Sequence, residues 1–172
     1  MKISLTKLFV QDGKSEKYEI PLTSETFSIG GQDYRVIEKH PVTLGLTHEG
    51  NRVITITGSA DLTMEIPCAR CLTPVATPFQ LEFDLQIDLN LSEEEREEKE
   101  EDSSFVEGDE LDVEELVRNE LIVQWPIRVL CKDDCKGICS RCGANLNIQT
   151  CDCDTTVLDL SLIHISEPTR LD

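Results

Sequence analysis

Apolar and polar residues alternate without interruption over residues 79–89. Phe79, Leu81, Phe83, Leu85, Ile87 and Leu89 fall on one face, and Gln80, Glu82, Asp84, Gln86 and Asp88 on the other. Successive side chains of an extended chain point to opposite sides. So long a run of period two therefore defines a strand with one face in a core and one in water. Residues 52–58 and 60–66 are rich in β-branched and alternating residues and predict two more strands. Weaker strand patterns lie at residues 3–10, 34–38 and 42–47, and Gly30-Gly31 marks a turn. Residues 1–91 are expected to form a β-rich domain.

After Asp112 the period changes. Val113, Leu116, Val117 and Leu121 recur at helical spacing and form a stripe suited to packing on the sheet. Asp112 with Glu115 three residues on is a capping-box pattern, and Pro126 stops the helix. Trp125 reads as a packing residue. The predicted fold class is α+β, mainly β: an antiparallel sheet or partial barrel with one packing helix (residues 111–127) and a C-terminal cysteine-rich module (residues 128–159).

Charge divides the 172-residue chain unevenly. The formal net charge is −18, and residues 92–115 hold 14 acids against two bases. Blocks of like charge repel and stay solvated, so residues 92–110 are expected to be a disordered acidic linker. The overall charge weighs against indiscriminate nucleic-acid binding. No run approaches the ~18 apolar residues of a membrane span, and the first residues lack a signal-peptide pattern. A cytoplasmic protein without membrane contact is expected. The last residues, 161–172, have no period and resemble translated adapter read-through; they are set aside as a non-native tail, and His164 with them.

Cysteine changes the picture most. Of the eight, six lie within residues 131–153. In a reducing compartment, clustered thiols are metal ligands more often than disulfides. Cys139-Ser-Arg-Cys142-Gly143 followed by Cys151-Asp-Cys153 offers four thiolates from two close pairs, the donor set of a closed, structural metal site. Gly143 suits a turn that folds the backbone back toward a thiolate. Cys68 and Cys71, at the tip of a long hairpin punctuated by Pro67, Pro74 and Pro78, would join Cys131 and Cys135 in a second site. Zinc, as one or two ions, is the expected cofactor.

The segments CARCL and QWPIRVLC, and the run CKDDCKGICSRCGANLN with its subsequent CDC, together with the acidic linker, resemble the bacterial YceD family. Its members are also called large ribosomal RNA subunit accumulation proteins. The cysteine-rich end resembles the Gram-positive branch. The resemblance implies a role in maturing or accumulating large-subunit ribosomal RNA and supplies no catalytic site. Relatives that keep the first pair without the terminal ones favour two separable metal sites.

Three functions are compatible with these features. The zinc end could bind large-subunit ribosomal RNA precursor through Arg70, Lys132, Lys136 and Arg141, with Asn145 and Asn147 adding polar groups. The acidic run could instead escort a basic ribosomal protein. A redox-regulated zinc chaperone is the third reading. An enzyme is not expected, nor a small-molecule substrate. His40 and His48 lie beside no plausible nucleophile, no phosphate-binding glycine loop is present, and the carboxylates cluster where order is not expected.

Overall fold

The computed structural model describes residues 1–91, 95 and 104–153. Most of the proposed linker and the proposed tail lie outside the described residues. The described chain forms β1 (Lys2–Ser4), β2 (Ser15–Ile20), β3 (Thr26–Ile29), β4 (Gln32–Lys39), β5 (Val42–Gly50), β6 (Val53–Pro67), β7 (Pro74–Asp88), β8 (Val106–Glu107), β9 (Glu110–Asp112) and α1 (Val113–Val123). Every strand pairing among the described residues is antiparallel.

The spine is the β6–β7 hairpin. Its register runs without a slip from Val53 opposite Asp88 to Pro67 opposite Pro74. The alternation read in the sequence is its cause. Ile54, Ile56, Ala60, Leu62, Met64 and Ile66 of β6 and Phe79, Leu81, Phe83 and Ile87 of β7 are all buried. The other edge of β6 is shared. β5 pairs with its first half and β4 with its second, and β2 and β3 extend these two wings. Gly58 lies on the inward face near the junction of the wings. A Cβ there would stand 2.0 Å from the Thr43 carbonyl oxygen, so only glycine lets β5 approach this closely. The pairings describe a divided antiparallel sheet with one packing helix, a mainly β fold as expected.

Gly30 and Gly31, at φ 59° and 80°, form the two-residue turn joining β3 to β4. β2 and β3 have no counterpart in the sequence prediction. They are short outer strands: β2 fully buries Ile20 alone, and β3 alternates over four residues, too short a run to stand out. Residues 3–10 are not one strand. β1 ends at Ser4, and the chain turns into a short 3-10 helix at Leu8–Val10. Leu5 and Leu8 are both buried, and a spacing of three cannot place both inward on a strand.

The acidic segment is also corrected. Residues 104–110 do not continue the linker, and Leu111 and Asp112, expected in the helix segment, belong to β9. β8 and β9 pair with each other, and β9 pairs with β1, in a separate three-stranded sheet. Phe105 and Val106 are buried in the main core. Phe105 and Val106, with Leu111 buried opposite Val106, anchor the segment amid its like charges.

Helix α1 packs against β7 and β3. Its stripe of Val113, Leu116, Val117 and Leu121 is buried. Asp112 caps it, its Oδ1 accepting the Glu114 and Glu115 N–H groups at 3.1 and 3.4 Å. The box is one-sided. Glu115 turns to Arg118 instead, and the Asp112 N–H goes to the Phe105 carbonyl at 2.7 Å. Trp125 stacks on Phe79 at 5.6 Å and leans on Tyr34 at 4.7 Å.

Candidate metal centres

The β6–β7 hairpin ends where its two prolines face each other. Beyond them the Cys68 N–H donates to the Thr73 carbonyl and the Leu72 N–H to the Cys68 carbonyl, each at 2.9 Å. Leu72 is held at φ 60°, a region a bulky side chain enters only when its surroundings compel it. The tight turn sets Cys68 and Cys71 side by side. The chain leaving α1 is sewn to this tip: the Ala69 N–H donates to the Val129 carbonyl at 2.8 Å, and Arg70 Nη1 to the Cys135 carbonyl at 2.8 Å. A second turn, closed by the Cys135 N–H on the Lys132 carbonyl at 3.1 Å, presents Cys131 and Cys135.

These four form centre 1. Cys68 and Cys135 sulfurs are 3.8 Å apart and those of Cys71 and Cys131 3.5 Å, and all four lie within 4.8 Å of one another. Zinc–sulfur bonds of about 2.3 Å in a tetrahedron require sulfur–sulfur separations of about 3.8 Å, so the donor set fits such an ion. Cys68, Cys71 and Cys135 are buried, with Val75 and Leu130 packed against them, while Cys131 is exposed.

Centre 2 comprises Cys139, Cys142, Cys151 and Cys153, with the same mutual reach. The Gly143 N–H donates to the Cys139 carbonyl at 2.9 Å, and Gly143 has φ 71°. The expected glycine turn is therefore present, but Gly143 serves the carbonyl. The Arg141 N–H points to the Cys139 sulfur at 3.4 Å. An isolated bridge of Ile138 with Asn145 closes the loop from behind.

Electrostatics separates the thiols within each centre. Burial opposes ionisation of Cys68, yet N–H groups of Arg70, Cys131 and Cys71 bring it down to about 6. The Thr73 side chain and backbone lower Cys71. Against them, Cys131 is pushed up to about 12, first by Cys71 and then by burial. In centre 2 the N–H groups of Cys142 and Arg141 lower Cys139 to about 6, while Cys142 drives Cys153 up to about 12. Centre 1 thus favours two thiolates and centre 2 one, and both resist forming all four. Neighbouring negative charges are the obstacle, and a dication removes it. Both groups can hold a metal ion, with all four positions filled by protein and none left for a substrate.

Of the four basic residues singled out, Lys132, Lys136 and Arg141 are exposed on these turns, Lys132 with Asp134 at 3.8 Å. Arg70 is engaged differently, as a clamp between the halves of centre 1. Thr73, Asn145 and Asn147 are part of the thiol surroundings, which spacing alone does not reveal. Asn147 Nδ2 lies 3.3 Å from the Cys135 sulfur. The histidines stay apart: His40 is exposed beside Glu38, and His48 is buried in β5 with Nδ1 3.2 Å from the Gln11 carbonyl.

An open β-sheet domain ending in a thiol module with two centres is the class these features define. The sequence profile of the family described as "Large ribosomal RNA subunit accumulation protein YceD" matches residues 56–162, more than half of the chain. The chain belongs to the YceD family. A stretch of 44 residues is 41% identical to the Arabidopsis thaliana protein "Large ribosomal RNA subunit accumulation protein YCED homolog 1, chloroplastic", covering 26% of this chain and 14% of that one. Uncharacterized proteins of Mycobacterium tuberculosis and Mycobacterium bovis are 26% identical over 93 residues, covering 54% of this chain and 45% of theirs. The matches thus span less than half the length of these relatives. No solved structure matches significantly. Among the described residues no helix is long and apolar enough to cross a membrane.

Proposed function

We propose that the protein binds one zinc ion at each centre and supports accumulation or processing of large-subunit ribosomal RNA in the cytoplasm by binding precursor RNA through its thiol module. The family description supplies the process. The observation that carries the binding reading is the pair of four-thiol groups, whose turns hold Lys132, Lys136 and Arg141 at the surface. Four thiolates suit zinc or iron, and the rest of the sequence has no mark of a redox centre. Zinc in a closed site organises the backbone and does no chemistry, so the protein acts as a binding factor and not as an enzyme. The chain's charge of −18 gives poor long-range steering toward RNA, which leaves fixed local contacts to supply the affinity. Leu72 and Ile148, 63% and 82% exposed, add apolar surface to the same module.

The second reading is an acidic escort for a basic ribosomal protein, favoured by the acidic run. The fold weakens it. Glu107 and Glu110 engage Lys2, Asp109 engages Arg52, Asp112 caps α1, Glu114 holds Thr23 and Ser24, and Glu115 holds Arg118. Residues 92–103 keep eight acids and two bases.

Elemental analysis of protein purified without chelator should give two zinc ions per chain. Changing Lys132, Lys136 and Arg141 to Glu, with zinc retained, should abolish binding to precursor RNA. Arg70 is left intact because its replacement would disturb centre 1. Removing each cation that pairs with a phosphate should flatten the salt dependence by about 0.7 to 0.9 in slope. Normal RNA binding by the zinc-loaded triple variant refutes this reading. Loss of ribosomal-protein capture on deleting residues 93–102 would favour the escort.

A further inference from the structure

The loop that closes centre 2 also reaches into centre 1. Asn147 lies between the Cys142 and Cys151 ligands of centre 2. Its Nδ2 donates to the Cys135 sulfur of centre 1 at 3.3 Å, and its Oδ1 accepts the Lys136 N–H at 2.9 Å. Asn145 Oδ1 holds Asn147 in place, accepting its N–H at 3.0 Å and its Nδ2 at 2.9 Å. Asn145 Nδ2 then donates to Thr73 Oγ1 at 3.2 Å, and that oxygen is 3.2 Å from the Cys71 sulfur. Backbone contacts lay the loop along the connector at residues 136–138: the Leu146 N–H reaches the Gly137 carbonyl at 2.9 Å, and Ile138 bridges Asn145. Gly137 has φ 78°, and a Cβ there would come within 3.1 Å of the Arg70 carbonyl oxygen, so the connector is pressed against the hairpin tip.

Four thiolates on a dication leave an excess of negative charge on the sulfurs. An amide N–H directed at one of them relieves it and orients the ligand. For Cys135 that help comes directly from Asn147, while at Cys71 the neighbouring Thr73 hydroxyl is itself held by Asn145, and both asparagines lie on the loop whose ends carry the centre 2 ligands. We infer that the two centres are a coupled pair, with Asn147 the positioning residue through which filling centre 2 raises metal affinity at centre 1. This coupling rests on both centres taking metal, as proposed. Coupling of this kind is reciprocal, so emptying centre 1 weakens centre 2 by the same factor.

The test uses the full chain loaded with cobalt(II). Thiolate-to-cobalt absorption counts the ions, and competition with a chelator gives the affinities. Cys153→Ser, which breaks centre 2, leaves centre 1 to be read alone. It should bind about 10 to 100-fold more weakly than in the intact chain, the usual effect of losing an outer hydrogen-bond partner. Asn147→Ala should keep two ions and weaken centre 1 by a similar factor, and adding it to Cys153→Ser should cause little further loss. Should Asn147→Ala disorder the loop, Asn147→Asp keeps the acceptor for Lys136 and removes the donor to Cys135, and it must weaken centre 1 at least as much. Wild-type release of both ions from every Asn147 variant, or additive losses in the double variant, overturns the coupling alone. A chain that takes up no cobalt overturns the metal reading itself.

Discussion

The β-domain and the thiol module are held together by different physics. The domain buries one continuous core, from Leu5 and Leu8 through the β5, β6 and β7 faces to Leu121. Its order follows from apolar area removed from water, which grows with every inward residue. The module has almost none of this. Among the described residues only Val75 and Leu130 pack on the buried thiols of centre 1, and Ile138 and Ile148 face solvent. Its turns are fixed by a few hydrogen bonds and by whatever draws four sulfurs together. A core loses stability in increments as residues are trimmed, whereas a metal-organised segment is lost as a unit.

The largest effect should come from striking the module. Cys142→Ser should release one ion and disorder residues 136–153, because about 10 kcal/mol of metal binding is the folding energy of so short a segment. Hydrogen exchange should show protection lost there and kept across β5, β6 and β7. Protection lost throughout would mean the two regions are one cooperative unit. Next comes the domain's anchor in the acidic segment. Phe105→Ala should cost about 4 kcal/mol, measured by denaturant unfolding, while metal content stays unchanged. A loss below about 1 kcal/mol would return residues 104–110 to linker.

Smaller, and readable by pH, is Glu114. Its Oε1 accepts from the Thr23 N–H and hydroxyl at 3.1 and 2.5 Å and from the Ser24 N–H at 2.9 Å. Partial burial opposes the charge, but these donors prevail and hold the carboxyl down to about 2. A group lowered by folding stabilises above its ordinary value of 4.5, and the gain is lost as pH falls toward 2. Glu114→Gln should therefore cost about 1 to 2 kcal/mol near neutral pH, the gap from wild type closing in acid. A gap independent of pH would assign the effect to shape. The smallest change is expected from deleting residues 93–102, under about 0.5 kcal/mol, since a block of like charge buries little. A melting point lowered by more than about 5 °C would mean that those residues contribute to the folded core.

Much of this contrast is legible in the sequence. Period two in residues 79–89 and the stripe of α1 are one-dimensional signals of which faces are buried, and both faces are buried. The cysteine spacing names the same two groups that the fold brings within reach. What the sequence conceals is contact between distant residues of no marked chemistry. Nothing near Arg70 says that its guanidinium holds the Cys135 carbonyl, 65 positions away. Phe105 and Val106 are hidden because composition averages over the charges around them. β2 and β3 are hidden because β2 fully buries one residue and the alternation of β3 lasts only four.

The sewing of the hairpin tip to the chain beyond α1 has a consequence in chain entropy. Cys71 and Cys131 are 60 residues apart, while centre 2 draws all its ligands from residues 139–153. Bringing the ends of so long a flexible loop together costs about 4 kcal/mol. The folded domain has already done so, and it offers the two halves of centre 1 to each other at high effective concentration. Centre 2 needs no such loop closure, although it loses the coupling to centre 1 when the domain is absent. A peptide of the last cysteines could bind one ion without the domain, but centre 1 exists only in a chain whose β6–β7 hairpin and α1 are in place. The acidic residues lie inside that closed loop, where doubling a loop's length costs only about 0.6 kcal/mol. The first metal centre is thus a reporter of whether the β-domain has folded, and it is indifferent to the length of acidic chain enclosed.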